Sequence, residues 1–337
     1  MKIPVTLIAG FLGSGKTTLV QRILSERHGQ RCAVIVNEFG ALGIDGDLVV
    51  RRQAQDAAVV ELSNGCICCE IQDDLRSTLA DLVSRGAGRG VGRWLRRSNA
   101  GFDRILVEAS GAASPGPAVQ TFLVDDELSE SVRLDGVVTL VHAAHVLDLL
   151  GSTVEAAQQI AYADRIVVNH ADRVDAPTLE HVEGHLQSLN PLARVRSAER
   201  AQVPLDWVLD SAAETDLDER RASIVAAAGD EHIGHTPGLG SISLETEQSV
   251  DRDATLMWLE FLAKRRSHEL MRAKGILRPS SGGGALVVQG VYQWIEATLD
   301  DVEPPEISRL VIIGRDLDRD EILRGWRAIG GELASVG

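Results

Sequence analysis

Residues 10–18 read Gly-Phe-Leu-Gly-Ser-Gly-Lys-Thr-Thr and lie close to the start of the chain. They follow an apolar run over residues 3–9 and precede an amphipathic stretch, so the local order is strand, glycine-rich loop, helix. In this context a G-x-x-x-x-G-K-[ST] pattern cradles phosphate, because its glycines let backbone N–H groups turn inward around an anion. The following helix adds its positive N-terminal end. The stretch therefore predicts a nucleotide-binding loop.

The lysine and threonine at the end of this loop carry the nucleotide chemistry. Lys16 is one of four lysines in the chain, and a compact ammonium here is expected to reach the β- and γ-phosphates of a triphosphate. The Thr17 hydroxyl is expected to bind Mg²⁺. The predicted nucleotide-binding residues of the loop are Gly13, Ser14, Gly15, Lys16, Thr17 and Thr18.

A second motif, Glu-Ala-Ser-Gly over residues 108–111, ends an apolar run that begins at residue 104. In a chain with a phosphate loop, a strand that delivers a carboxylate at its C-terminal end places that acid beside Mg²⁺. We therefore predict that Glu108 acts with Lys16 in catalysis. We also predict that Gly111 offers a backbone N–H to the γ-phosphate.

A third motif, Asn-His-Ala-Asp over residues 169–172, ends another apolar run. Guanine-specific P-loop proteins carry Asn-Lys-x-Asp at this point, where the Asp accepts hydrogen bonds from the base and the Lys stem packs on the ring. Asn169 and Asp172 are correctly placed to recognise guanine, and His170 replaces the lysine with an imidazole that can stack on a base. An ordinary turn formed by Asn and Asp is the alternative.

Three of the four cysteines are crowded into Cys-Ile-Cys-Cys over residues 66–69, just before a predicted helix N-terminus that favours thiolates. Soft sulfur ligands in this number suit Zn²⁺, and ligand type alone does not separate Zn²⁺ from Co²⁺. Because the spacing is tighter than in closed structural sites, we expect Cys66, Cys68 and Cys69 to leave an open ligand position. Buried structural cysteines or a redox pair are the alternatives.

The segment between the phosphate loop and the cysteines begins with Asn-Glu-Phe-Gly at residue 37 and is expected to be a nucleotide-sensing switch. Glu38 and Asp45 lie in it and are candidate ligands of Mg²⁺ or of a cargo metal, with solvated loop acids as the alternative. Histidine pairs occur at 181/185, 232/235 and 142/145. The first two pairs are weak metal candidates, since exposed histidines are commoner than ligands, and the third has no assigned role.

Composition narrows the classes of partner. The chain has 337 residues, 44% of them hydrophobic, and a formal net charge of −15. This charge disfavours nucleic acid as a partner, because a basic face is the expected footprint of such proteins. No apolar run approaches the ~20 residues that cross a bilayer, and cleaving the apolar N-terminus as a signal peptide would destroy the phosphate loop. We expect a cytoplasmic protein with no membrane or nucleic-acid partner.

Alternation of apolar runs with helical stretches predicts an α/β fold. We expect a P-loop NTPase domain with a doubly wound, mainly parallel sheet over 1–212, a linker over 213–240 and a smaller α/β domain over 241–337. Strands are expected at 5–9, 32–37, 58–62, 104–108, 136–141 and 165–169, and helices at 17–26, 71–85, 116–124, 152–162 and 177–189. In the second domain strands are expected at 241–245, 285–291 and 309–314, and helices at 252–265 and 319–329.

Together these motifs closely resemble the CobW family of P-loop GTPases, relatives of the urease and hydrogenase nickel-insertion GTPases. The resemblance implies a slow GTPase that binds a transition metal, usually zinc or cobalt, and hands it to a client metalloprotein. On that model Cys66, Cys68 and Cys69 hold the cargo, while the loop and Glu108 serve GTP and Mg²⁺. The resemblance rests on residues 10–18, 36–40, 64–69 and 108–111, and continues in residues 189–191, 272–277 and 311–315.

The chain departs from the family pattern at three positions. His170 stands where lysine is usual, and Ala41 replaces the acid that commonly follows Asn-Glu-Phe-Gly. His142 replaces an aspartate that is common after the preceding strand. The first departure bears on selectivity for guanine.

The sequence thus predicts a two-domain, GTP-dependent metallochaperone with zinc as the preferred cargo. Contacts to the γ-phosphate would order the switch and complete the metal site. Delivery of cobalt for cobalamin synthesis, or activation of an enzyme of the nitrile hydratase type, is the alternative within the family. Outside it, the alternatives are a metal sensor or buffer with vestigial nucleotide binding and a P-loop kinase. A homodimer stays open.

Overall fold

The computed structural model describes residues 2–36, 58–61, 70–86, 102–209, 239–266 and 269–330. Within these ranges the chain forms two compact units. The first comprises the described parts of Met1–Val146, Ala163–Leu179 and Arg196–Ala212, and the second those of Leu147–Tyr162, Glu180–Val195 and Ala213–Gly337. Most of the predicted linker lies outside the described residues, so the predicted domain boundaries stay a prediction.

A mainly parallel sheet forms the first part of the fold. Its strands are Ile3–Gly10 (β1), Cys32–Val36 (β2), Ala58–Glu61 (β3), Arg104–Glu108 (β4), Val132–His142 (β5), Arg165–Asn169 (β6) and Arg194–Ser197 (β7). Their order in the sheet is β3-β2-β4-β1-β5-β6-β7. The first six strands run parallel. β2, β4 and β6 are buried along their whole length, which explains their continuous apolar sequences.

Helices follow most of these strands. Before residue 210 the described helices are Lys16–Ser25 (α1), Glu70–Gly86 (α2), Gly116–Val124 (α3), Asp126–Ser131 (α4), Val146–Ser152 (α5), Val154–Tyr162 (α6), Ala176–Leu189 (α7) and Leu205–Leu209 (α8). α1 buries Leu19 and Ile23, four residues apart on one face, in a core shared with Val34, Leu106 and Leu140 of the sheet. This packing fixes the helix that follows the glycine-rich loop.

The strand order brings the predicted functional residues to one edge of the sheet. β1 lies between β4 and β5, and the register pairs Ile8 with Glu108 and His142 with Asn169. The glycine-rich loop leaves β1 at the same edge. Ligands of open α/β sheets bind outside the carboxyl ends of the strands at such a switch in strand order.

The second unit contains an antiparallel sheet. Its strands are Leu239–Thr246 (β8), Leu270–Leu277 (β9), Ala285–Val291 (β10), Trp294–Asp300 (β11) and Ser308–Arg315 (β12), in the order β11-β10-β9-β12-β8. Arg252–Arg265 (α9) and Arg319–Ala328 (α10) bury Leu259, Ile322 and Trp326 in one core with this sheet. Asp251 and Asp318 cap the two helices, since each carboxylate accepts a hydrogen bond from a first-turn N–H.

The predicted fold class is confirmed, with local corrections. The helix predicted over 152–162 corresponds to α6, which begins at Val154. The preceding helix, α5, was not predicted, and it ends at Ser152, just before Thr153. The Thr153 N–H donates to Leu149 O over 2.9 Å, and its hydroxyl accepts from Ala156 N over 3.4 Å. The last residues of the strands predicted at 32–37 and 58–62 lie outside the described ranges. None of the described helices combines the length and apolar character that a bilayer crossing requires.

Candidate nucleotide-binding site

Glycine is required at two positions of the loop that joins β1 to α1. Gly10 has a φ of 139°, and a Cβ there would lie 2.2 Å from Leu140 O. Gly15 has a φ of 106°, and a Cβ there would lie 2.3 Å from Asn169 Nδ2. Both values of φ are ones that L side chains rarely adopt. The loop therefore turns tightly against β5 and β6, as a phosphate cradle requires.

Lys16 is folded back over this loop. Its buried Nζ donates to Gly10 O over 2.8 Å and to Phe11 O over 3.1 Å. Ser14 is also buried, and its hydroxyl has no hydrogen-bond partner within the part of the chain that the structure describes. A buried ammonium and a buried hydroxyl donor beside a helix N-terminus are groups that a phosphate would satisfy.

Thr17 and Glu108 come together beside the loop. The Thr17 hydroxyl donates to Glu108 Oε1 over 2.9 Å, and Glu108 is only 5% exposed. A hydroxyl and a carboxylate are oxygen ligands of the kind that Mg²⁺ accepts next to substrate phosphates. The residues present therefore fit the predicted cation.

Gly111 also lies against the loop. A Cβ at this position would be 2.8 Å from Leu12 N and 2.9 Å from Leu12 Cγ, so a larger residue would push the loop away. This close approach agrees with the expected position of Gly111 near the phosphates. Its predicted hydrogen bond to the γ-phosphate stays a prediction. Thr18 is exposed in the first turn of α1.

Asn169 fastens the loop from the neighbouring strand. Its Nδ2 donates to Ser14 O over 2.8 Å, and its Oδ1 accepts from Ala201 N over 2.8 Å. Arg22 of α1 donates to the Ala201 and Val203 carbonyls as well. The segment around Ala201 thus supports the loop, a role that our sequence reasoning missed because no charged or metal-ligating residue type indicates it.

Asp172 lies in the 3₁₀ turn Ala171–Arg173 after β6. Its side chain is 43% exposed and forms an ion pair with Arg173 over 3.4 Å. The two residues predicted to recognise guanine thus lie in different environments. Asn169 is buried against the loop, and Asp172 presents its carboxylate at the surface of the same turn.

His170 contacts the glycine-rich loop from the same turn. It adopts a left-handed backbone with a φ of 60°, and its Nε2 lies 3.2 Å from Gly13 O. Its ring stacks on His142 with 4.3 Å between centroids and 17° between planes, and His142 lies 4.4 Å from the ring of His145. Sequence reasoning left His142 and His145 unassigned, because their approach to His170 depends on how the ends of β5 and β6 align in the sheet.

The predicted cysteine ligands and the two acidic ligands of the switch fall on parts of the chain that the structure leaves undescribed. Cys66, Cys68, Cys69, Glu38 and Asp45 all lie outside the described residues, as does the histidine pair at 232/235. Across the ranges that are described, no group of three or more His, Cys, Asp or Glu side chains is arranged to hold a metal ion. The ring centroids of the remaining pair, at 181/185 on α7, are 6.4 Å apart.

Comparison with known families matches most of the chain to two domains. Residues 4–197 match the model described as "CobW/HypB/UreG, nucleotide-binding domain", and residues 239–329 match that of the "Cobalamin synthesis protein cobW C-terminal domain". The chain belongs to the CobW family. The predicted family and its P-loop GTPase fold are thereby confirmed.

This CobW-family chain is similar to characterised relatives along nearly its whole length. It is 33% identical to the zinc chaperone YjiA of Escherichia coli over 326 residues, which cover 95% of this chain and 96% of the relative. It is 33% identical to the zinc chaperone CobW of Pseudomonas aeruginosa over 358 residues, covering 97% and 91%. The crystal structure of Zn(II)-bound YjiA GTPase has a TM-score of 0.71 at 28% identity, covering 98% of this chain and 99% of that chain.

Proposed function

We propose that this protein is a GTP-dependent metallochaperone that binds zinc and delivers it to a client metalloprotein. The observation that carries the proposal is the meeting of the β1 loop and Glu108 at one edge of the sheet, in a chain similar along its length to proteins named zinc chaperones. We expect it to act in the cytoplasm, where thiols stay reduced.

In this proposal, different described residues bind the phosphates, the Mg²⁺ ion and the base. The backbone of residues 13–18 and Lys16 would bind the β- and γ-phosphates of GTP, and Thr17 and Glu108 would hold Mg²⁺. The cation supplies charge neutralisation on the transferred phosphoryl group. Asn169 keeps the loop in the binding geometry through Ser14 O, and Asp172 would accept hydrogen bonds from the guanine base.

The zinc ligands in this proposal are Cys66, Cys68 and Cys69, with Glu38 and Asp45 as further oxygen ligands of zinc or Mg²⁺. Support comes from where their segments leave the sheet. Val36, the last residue of β2, pairs with Glu108 on one side and with Glu61, the last residue of β3, on the other. The segment that carries Glu38 and Asp45 thus starts one strand away from the carboxylate that contacts Thr17, and the cysteine segment starts two strands away. A change at the γ-phosphate has one strand width to cross before it reaches the first segment and two before it reaches the second.

Metal titration in the presence of each nucleotide tests this proposal. The zinc affinity of the full chain, measured by competition with a chelating dye, is expected to differ between GDP and a non-hydrolysable GTP analogue. Lys16→Ala should abolish this difference and lower GTP hydrolysis about a hundredfold or more. Lys264→Ala removes an exposed lysine of α9 and should preserve both properties. Cys66→Ala with Cys68→Ala should remove the tight zinc site.

The alternative functions give different results in the same experiment. Equal zinc affinity with GDP and the analogue would contradict nucleotide-gated delivery and favour a metal sensor or buffer. Tighter and nucleotide-dependent binding of Co²⁺ would favour a cobalt-handling protein. Preference for ATP, with phosphate appearing on a small molecule, would indicate a kinase. Sedimentation with and without GTP tests for a homodimer.

A further inference from the structure

Three imidazole rings are stacked where β5 and β6 end. His142 is the last residue of β5 and pairs in register with Asn169, the last residue of β6. His170 follows Asn169, and the left-handed backbone there turns its ring onto that of His142. His145 lies on the row as a third, tilted ring. The row begins at the surface with His145 and ends at His170, which contacts the glycine-rich loop.

Hydrogen bonds show which nitrogen carries a proton in His142 and in His170, the two rings nearest the loop. A carbonyl oxygen only accepts, so the contact of His170 with Gly13 O requires a proton on Nε2 of that ring. In His142 the Nδ1 atom accepts a hydrogen bond from Ala144 N over 3.2 Å, so this nitrogen carries no proton. His142 is therefore neutral in this arrangement, and it covers one face of the His170 ring.

We propose that His142 is a positioning residue for guanine recognition, because it supports the His170 imidazole so that the opposite face of that ring receives the base. This inference rests on the proposed binding of GTP. The physical reason lies in the difference between lysine and histidine. A long lysine stem reaches a loop carbonyl and lies along a base by itself, whereas a short imidazole held by one 3.2 Å contact is free to tilt. A second ring stacked at 4.3 Å removes that freedom.

The charges around His142 make this support sensitive to pH. The groups that face it are His170, His145, Arg173 and Asp172. Burial, followed by repulsion from the imidazoles and the arginine, lowers the pKa of His142, and Asp172 opposes this shift. Protonation of Nδ1 would break the bond from Ala144 N and would place a cation between two imidazoles. Because a lowered pKa means that the folded stack favours the neutral ring, the support is complete above the ordinary pKa and is lost as the pH falls through the lowered one.

Nucleotide binding by the full chain tests this role. Affinities for fluorescent GTP, for fluorescent ATP and for inorganic tripolyphosphate are measured between pH 5 and pH 8. We expect His142→Ala to weaken GTP about five- to tenfold and to narrow the preference for GTP over ATP, with tripolyphosphate affinity unchanged. His181→Ala removes an exposed histidine of α7 and should leave all three affinities unchanged.

Two conservative variants separate the ring from its hydrogen bond. His142→Phe keeps a flat ring that cannot be protonated between pH 5 and pH 8. It should therefore restore GTP affinity at pH 7.5 and remove the weakening on acidification. His142→Asn keeps an acceptor for Ala144 N without the ring and should behave like His142→Ala. Rescue by asparagine and not by phenylalanine would overturn the inference, because the hydrogen bond alone would then explain the effect.

The outcomes also distinguish this inference from the proposed function. Wild-type protein that binds GTP no more tightly than ATP would refute the proposed function, and the guanine assignment with it. Wild-type selectivity for GTP that persists unchanged in His142→Ala would refute this inference alone. An equal loss of GTP and tripolyphosphate affinity would also refute it, because the damage would then lie in the phosphate loop.

Discussion

Replacing Asn169 by alanine should damage both the stability of the protein and its nucleotide site. The amide of Asn169 makes two hydrogen bonds of 2.8 Å, to Ser14 O and from Ala201 N. Asn169 and Ser14 are 1% exposed and Ala201 is 0% exposed, so water cannot replace the lost partner. Leaving a buried polar group unsatisfied costs about 1–3 kcal/mol, so two such groups give a loss of about 2–6 kcal/mol in the free energy of unfolding.

Asn190 offers a matched control in the second unit. It is 0% exposed, its Nδ2 donates to Ile160 O over 2.7 Å, and its Oδ1 accepts from Leu192 N over 3.1 Å. Asn190→Ala should therefore cost a similar free energy of unfolding, measured by urea denaturation. Only Asn169→Ala should also weaken binding of fluorescent GTP, by about tenfold or more, because only this variant releases the loop carbonyl at Ser14.

The two variants together test whether Asn169 anchors the glycine-rich loop. Wild-type GTP affinity in Asn169→Ala would show that the loop holds its binding geometry without the amide. Equal weakening of GTP in both variants would show that binding follows overall stability instead. Either result would refute the anchoring role of Asn169.

Two further predictions concern buried charge and a buried thiol. Asp135→Ala breaks a buried ion pair, since the side chain of Asp135 is 1% exposed and that of its partner Arg104 is 3% exposed. This variant should lose about 3–5 kcal/mol of unfolding free energy. Glu26→Ala removes the more exposed pair with Arg22 and should lose less than about 1 kcal/mol. Equal losses would contradict this. Burial raises the pKa of the Cys32 thiol to about 11. The contribution of the neutral thiol to the free energy of unfolding is therefore complete below the pKa of unfolded cysteine and is lost as the pH rises toward 11. Between pH 8 and pH 11 the urea midpoint should fall more in the wild type than in Cys32→Ala, and an equal fall would contradict the shift.

Sequence reasoning predicted the parts of the candidate site that are contiguous in the chain. The loop from Gly10 to Thr18 and the strand end at Glu108 could be assigned because spacing and residue type coincide within a few positions. The structure adds the Thr17–Glu108 contact, which follows from the parallel pairing of β1 with β4. Support of the loop by Ala201 could not be predicted, because a backbone N–H has no signature in the sequence.

The elements that were missed have misleading local patterns. β11 was not predicted because Trp294, Glu296 and Asp300 are exposed at the edge of its sheet, and the strand lacks a buried apolar run. The start of β5 was placed four residues too late because Arg133 and Asp135 interrupt its apolar sequence. Asp135 is tolerated inside the strand because Arg104 on β4 neutralises it, a partner that only the tertiary fold supplies.

The stacked histidines were missed because they lie far apart in the sequence. His142, His145 and His170 are separated by up to 28 positions in the sequence, and no metal-ligand spacing connects them. The parallel alignment of β5 with β6 makes them neighbours. Their stacking follows from strand register, which a single sequence specifies only weakly.

The anchoring of the loop by Asn169 and Ala201 has a consequence for synthesis of the protein. Asn169 lies 155 residues after Ser14, and Ala201 lies 32 residues beyond Asn169. Since ribosomes add about 5–20 residues per second, roughly ten to forty seconds separate translation of the loop from translation of its last anchor. A nascent chain therefore carries the glycine-rich turn long before it can hold a triphosphate, and competence to bind arrives only when nearly all of the nucleotide-binding unit has been made.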